Sequence, residues 1–167
     1  MPRRGEAGAH RYRTVCTWSG STAVGYERYD RTHAVTAAPA KRGLTLSSDP
    51  TFLGDRDLLN PEQLLLASAT SCQLLAFLAV ASRARIDVLA YRDDAEAVMP
   101  QEPVPMRITE IRLRPRISVA TGIDADRVHR LVEVAHGECF IANSLSCVID
   151  VRAVVVTGDD PLPDQRA

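Results

Sequence analysis

Lysine is almost missing from this chain: Lys41 stands alone among 20 basic residues, and the arginines gather into no long block. With a formal net charge of −1, the chain lacks the strong positive field that nucleic acid or an anionic membrane would require. Neither partner is expected. The four cysteines, Cys16, Cys72, Cys139 and Cys147, include no CxxC pair and follow no metal-ligand cadence, which argues against a zinc site. The first ten residues contain no apolar segment of the kind a secretory signal needs. A cytoplasmic protein is therefore expected, in which structural disulfides are rare and a cysteine pair is either redox-active or simply buried. No internal repeat or low-complexity tract occurs.

Charge is also absent from one long internal stretch, residues 63–82. The segment 60–82, NPEQLLLASATSCQLLAFLAVAS, opens like a helix. Asn60 can cap it, Pro61 suits the first helical position, and Glu62 falls in the first turn, where the helix dipole favours negative charge. A helix that is apolar around most of its circumference belongs in a core or a membrane. Its length reaches the membrane-span threshold of about 18 residues, but Ser68, Thr70, Ser71 and Gln73 lie in its middle and amphipathic strands flank it. The soluble reading is preferred.

The flanking pattern is mostly period two. Residues 11–19 place Tyr12, Thr14, Cys16 and Trp18 on one strand face, with Cys16 expected in core packing. Residues 26–31 and 33–37 read as hairpin strands, 44–48 as a third strand, and the Asp/Pro/Gly-rich segment 49–59 as a loop. A strand is expected over 86–99, ended by Pro100, Pro103 and Pro105. The clearest alternation runs over 107–121, with Ile111, Leu113, Ile117 and Val119 facing inward and an arginine row on the solvated face. Pro115 suggests a sheet edge or a bulge there. Asp124 caps an amphipathic helix bearing Val128, Leu131, Val132 and Ala135, and Gly137 is placed to end it. Residues 140–146 form a short helical piece. Residues 147–157 form a last strand with Cys147, Ile149, Val151, Ala153 and Val155 on its core face. The expected organisation is a single α+β domain over 1–157 and a disordered tail over 158–167. An all-round apolar helix is hard to cover with one small sheet, so an obligate homodimer is expected.

Two motifs carry the chemistry: NPEQLLLASATSC, ending at Cys72, and AHGECFIANSL, containing Cys139. Together with the order of the strands, they resemble the OsmC/Ohr family of thiol peroxidases, and the resemblance spans about residues 12–156. It implies a fold in which antiparallel sheets wrap long central helices in an intertwined homodimer. It further implies Cys72 as the peroxidatic thiol, Cys139 as the resolving thiol, and Glu62 paired with an arginine that stabilises the thiolate. For the arginine the hairpin offers Arg31 first and Arg28 next, and the loop offers Arg56. Phe140 departs from the family pattern, in which a proline often follows the second cysteine. The expected substrate is an organic hydroperoxide and the reductant a dithiol of lipoyl type, with no metal or organic cofactor.

The residues suit those roles on their own terms. A thiolate is the nucleophile, a cation or hydrogen bond must hold it in an apolar pocket, and a second thiol must trap the sulfenic acid. Cys139 precedes a short helix whose dipole is expected to lower its pKa. On one continuous helix Glu62 lies about 15 Å from Cys72 along the axis, so if both serve one pocket Glu62 comes from a partner chain. As a buried thiol, Cys72 could equally be plain core. Two further readings are a Cys139–His136 hydrolase pair, which lacks an oriented third group, and a catalytically silent relative binding a small apolar ligand at the dimer interface.

Overall fold

The computed structural model describes residues 8–158. The tail expected beyond Gly158 lies outside the described residues. The chain falls into two compact units, Met1–Pro61 and Glu62–Ala167.

The N-terminal unit carries a three-stranded antiparallel sheet in the order β1 (Val15–Thr17), β2 (His33–Thr36), β3 (Leu44–Leu46). The segment 26–31, expected as a strand, is instead a turn. Gly25 adopts φ +94°, and its carbonyl accepts the amides of Arg28 and Tyr29, which curls the backbone out of any ladder. Cys16 sits on β1 but is exposed, not packed into a core. The segment after β3 is held by local hydrogen bonds. The Ser47 amide donates to the Leu59 carbonyl, Ser47 Oγ accepts from the Asp55 amide, and Asn60 Nδ2 donates to Asp49 Oδ2. Gly54 is required here, because a Cβ would lie 1.7 Å from the Ser48 carbonyl oxygen.

In the C-terminal unit the long helix α1 (Pro61–Arg83) begins at the expected proline, with Glu62 in its first turn and Arg83 in its last, both favourable to the dipole. Two of its hydroxyls turn back on the helix: Ser68 donates to the Leu65 carbonyl and Thr70 to that of Ala67. It ends in a paired reverse-turn cap. The Ile86 amide reaches the Ala81 carbonyl and the Arg85 amide that of Ser82, with Arg85 in the left-handed region at φ +57°. By length and composition alone the helix is long and apolar enough to cross a membrane. Ala69, Gln73, Phe77, Val80 and Ala81 nevertheless form a stripe buried against protein. The opposite stripe, including Ser71, Leu75, Leu78 and Ala79, is exposed in the single chain.

Six strands build two ladders, β4 (Val88–Asp93), β7 (Pro115–Val119), β9 (Val154–Thr157) and β5 (Glu96–Val98), β6 (Glu110–Leu113), β8 (Val148–Val151). In each, the first pair is antiparallel and the second parallel. The chain crosses between ladders at short breaks, so the single strands expected over 107–121 and 147–157 are each divided. Arg114 fills one break. Its amide donates to Asp93 Oδ1 at 2.6 Å, and its guanidinium reaches the Leu113 and Asp150 carbonyls and Asp150 Oδ2. Pro115 lies in the middle of its ladder and not at an edge. As the first residue after the break it pairs with Asp93 and needs no ladder N–H.

The second helix, α2 (Ala125–Glu138), is capped by Asp124, whose Oδ1 accepts the Asp126 amide. It runs through Gly137 and stops at Cys139, which turns extended. A single 3₁₀ turn, Ala142–Ser144, follows. The larger core joins Phe77, Val80 and Ala81 of α1 to Ile117 and Val119 of β7 and to Val128, Val132 and Ala135 of α2. A smaller one joins Ala69, Ile111 and Leu113, with Cys147 and Ile149 against it. Full burial of each large apolar side chain contributes about 1.5–3 kcal/mol relative to exposure.

Candidate functional site

The site is built where the middle of α1 meets the chain leaving α2. α1 presents Cys72 one position before the buried Gln73, whose Nε2 reaches the Val132 carbonyl on α2. The C-terminus of α2 delivers Cys139, which is 1 % exposed. The backbone then turns, and two consecutive amides serve the two sulfurs. The Ile141 amide donates to Cys72 Sγ and the Ala142 amide to Cys139 Sγ, each at 3.5 Å. Asn143 fastens this turn, its Nδ2 donating to the carbonyls of Gly137 and Cys139. Residues 67 positions apart thus meet, with both thiols free.

Burial pushes the Cys139 thiol above its ordinary value. The Ala142 amide pulls it back, but the neighbouring Cys72 sulfur pushes it up again by accepting its hydrogen bond and by charge. The expected lowering by the following short helix is therefore outweighed. On β4, Tyr91 and Asp93 each carry a buried oxygen with no partner among the described residues. Burial, then the charges of Asp93 and Cys139, push the Tyr91 phenol upward, and burial also raises the Asp93 carboxyl.

A cavity of about 510 Å³ opens onto Cys72, lined by Ser68, Ser71, Leu75, Ala76, Ala79, Arg83, Glu138, Phe140 and Ile141. Its wall is mainly apolar, and an ion pair between Arg83 and Glu138 at 2.7 Å stands among the lining residues. Phe140 is 81 % exposed. The arrangement suits an apolar ligand whose reactive end meets a thiol. Sequence reasoning missed Arg83 and Glu138, because an arginine closing a helix reads as a dipole partner and 55 residues separate the two. It also missed the two amides, which no side-chain motif announces.

The other expected site residues are dispersed. Glu62, half-buried at the start of α1, is held by the continuous helix about 15 Å along the axis from Cys72. Arg31, Arg28 and Arg56 belong to the N-terminal unit. Arg31 donates to the Tyr29 and Tyr26 carbonyls at 3.0 and 2.8 Å, Arg28 donates through Nε to the Val24 carbonyl, and Arg56 stands on an exposed turn. Cys147 packs half-buried against the smaller core. His136 contributes its carbonyl to the Cys139 amide, and its Nδ1 is buried without a partner among the described residues. No group of three or more His, Cys, Asp or Glu side chains among the described residues is placed to hold a metal ion.

The fold recurs in solved structures. An OsmC-like protein of unknown function from Vibrio cholerae superposes with a TM-score of 0.80 at 22% identity, covering 87% of this chain and 100% of that one. An organic hydroperoxide resistance protein from Elizabethkingia anophelis gives 0.67 at 20% identity, over 90% and 98% of the two chains. One from Legionella pneumophila, named OsmC, gives 0.65 at 23% identity, over 88% and 98%. No curated protein is similar enough in sequence to count as a match. At these identities the superpositions carry the fold alone. The sequence carries more: residues 54–153, which include both cysteine motifs and the turn that holds their sulfurs, match the family described as OsmC-like protein, and the chain belongs to it.

Proposed function

We propose that this OsmC-like protein is a thiol-dependent peroxidase that reduces organic hydroperoxides. The observation that carries the reading is the meeting of Cys72 and Cys139 on consecutive amides beside an apolar cavity. The Cys72 thiolate attacks the outer peroxide oxygen. The O–O bond breaks, the alkoxide takes a proton and leaves as the alcohol, and Cys72 becomes a sulfenic acid. The Cys139 thiol then condenses with it, forming an S–S bond and releasing water. A dithiol, of lipoyl type by family resemblance, reduces the disulfide and is itself oxidised.

In this reading the protein is cytoplasmic and works as a homodimer. The exposed apolar stripe of α1 supports the dimer, since Leu75 is 63% and Leu78 39% exposed in a single chain. Glu62 then acts from the partner chain, and Arg31 supplies the cation for the thiolate. The mainly apolar cavity also supports a second reading, a silent relative that binds a small apolar ligand. Hydroperoxide consumption in the presence of a dithiol separates the two. The peroxidase loses all turnover in Cys72→Ser. Cys139→Ser completes one round and accumulates oxidised Cys72, and mass spectrometry of the spent wild type finds a Cys72–Cys139 disulfide. Equal, full activity in both variants would rule the scheme out, and absence of any consumption by the wild type would favour the binding protein.

A further inference from the structure

An α-helix gives each amide to the carbonyl four residues back, so the last carbonyls of a helix compete for the first amides beyond it. At the end of α2 those amides are committed elsewhere. A continued helix would bond the Ile141 amide to the Gly137 carbonyl, but that amide donates to Cys72 Sγ at 3.5 Å. The Ala142 amide, likewise, donates to Cys139 Sγ at 3.5 Å and not to the Glu138 carbonyl. A side chain takes over at Gly137: Asn143 Nδ2 donates to its carbonyl at 2.9 Å. The same nitrogen donates to the Cys139 carbonyl at 3.0 Å, which also accepts the Asn143 backbone amide at 3.0 Å. A carboxamide nitrogen has two hydrogens to give, and here both are given to main-chain carbonyls. The two cysteines differ in what fixes them. Cys72 stands in the middle of α1, whereas Cys139 lies just past the end of α2 and takes its place from this turn.

We propose that Asn143 is a positioning residue for the resolving thiol: by occupying the Gly137 carbonyl it frees the Ile141 amide for the Cys72 sulfur and holds Cys139 beside it. This rests on the redox pair of the proposed function, to which it adds a side chain that touches neither sulfur. Without that side chain the Gly137 carbonyl recaptures the Ile141 amide, α2 winds on, and Cys139 turns away from Cys72. The step that suffers is closure. In it the Cys139 sulfur attacks the Cys72 sulfenic acid, an S–S bond forms and the S–O bond breaks. The hydroxyl leaves as water with the Cys139 proton; the sulfenic sulfur is reduced and the thiol sulfur oxidised. A sulfenic acid left waiting meets a second hydroperoxide, which oxidises it to the sulfinic acid and departs as a further alcohol. Peroxide attack itself depends on Cys72, which the helix holds, and is spared.

The test mixes the reduced full-length protein rapidly with cumene hydroperoxide and reads Cys72 sulfenic acid, Cys72 sulfinic acid and the Cys72–Cys139 disulfide in quenched samples by mass spectrometry. Asn143→Ala, and the isosteric Asn143→Asp with no N–H to donate, are expected to form the sulfenic acid at the wild-type rate. Both are expected to close the disulfide about tenfold more slowly, as the loss of two hydrogen bonds implies, and to accumulate sulfinic acid at excess hydroperoxide. Ser144→Ala removes the neighbouring bond from Ser144 Oγ to the Phe140 carbonyl and is expected to close at the wild-type rate. Wild-type closure in both Asn143 variants, or equal slowing in Ser144→Ala, overturns the proposal. Diamide supplies an arm that needs no peroxide: one thiol adds across its N=N bond, and the second displaces it as the hydrazine to leave the disulfide. If the wild type consumes no hydroperoxide, the peroxidase reading fails, while the rate of diamide-driven closure in the same variants still judges Asn143.

Discussion

The two units are stabilised by different means. In the C-terminal unit, Phe77, Ile117, Val128 and Ala135 are fully buried, and two helices and a strand share one core. In the N-terminal unit the one buried large apolar side chain among the described residues is Leu46, while Tyr12, Val15 and Leu44 stand open. That unit is held by turns, caps and carbonyl contacts, such as the Asp49 cap over Pro50–Phe52 and the bonds around Ser47. Its geometry comes from hydrogen bonds, and that of its neighbour from apolar contact. A core tolerates sequence change at constant volume, whereas a hydrogen-bonded loop depends on particular backbone positions.

Substitutions can break this contrast. The largest loss is expected from Phe77→Ala, about 3–5 kcal/mol in denaturant unfolding, because the ring is fully buried. Val15→Ala, on the open strand of the other unit, is expected to change stability by less than about 0.5 kcal/mol. A larger loss that depends on protein concentration would place a second copy over that strand. Between these extremes lies Gly54→Ala, a one-carbon change at a surface loop. The new Cβ would overlap the Ser48 carbonyl, and a cost of about 1–3 kcal/mol is expected in the same unfolding measurement. No measurable cost would show that the loop relaxes as freely as an ordinary connection.

The smallest effect sharpens the C-terminal side. Burial raises the Asp93 carboxyl pKa, so its charged form is disfavoured in the folded state. Its contribution to stability is therefore present below the ordinary carboxylate pKa and is lost as pH rises through the raised folded value. Asp93→Asn, which keeps an acceptor for the Arg114 amide, is expected to raise the melting temperature slightly at neutral pH and to lose that advantage on acidification. A benefit that grows on acidification would reverse the sign. Thermal melts across the acid range decide it.

Much of this architecture was legible in the sequence. The Asn-Pro-Glu run located the start of α1, because proline tolerates only the first helical turn. The alternation over Ile111, Leu113, Ile117 and Val119 identified residues that are all buried. The breaks between ladders were not legible, because inward-facing residues keep their alternation through Arg114 and Arg152 while the backbone leaves one ladder for the other. The turn over 26–31 was hidden for another reason. Its tyrosines and arginines suit a strand by composition, and only the positive φ of Gly25 and the contacts to Arg31 reveal the fold-back. Cys72 and Cys139 were singled out by their motifs, but their proximity depends on α2 ending at the second cysteine, two residues later than the glycine that was expected to stop it.

The backbone at positions 141 and 142 has a consequence of its own. Each amide hydrogen there is tied to a different sulfur, so any covalent change at either sulfur alters the protection of a main-chain proton next to it. Deuterium uptake at these two neighbouring sites would then follow the chemical state of the thiols, one proton for each cysteine.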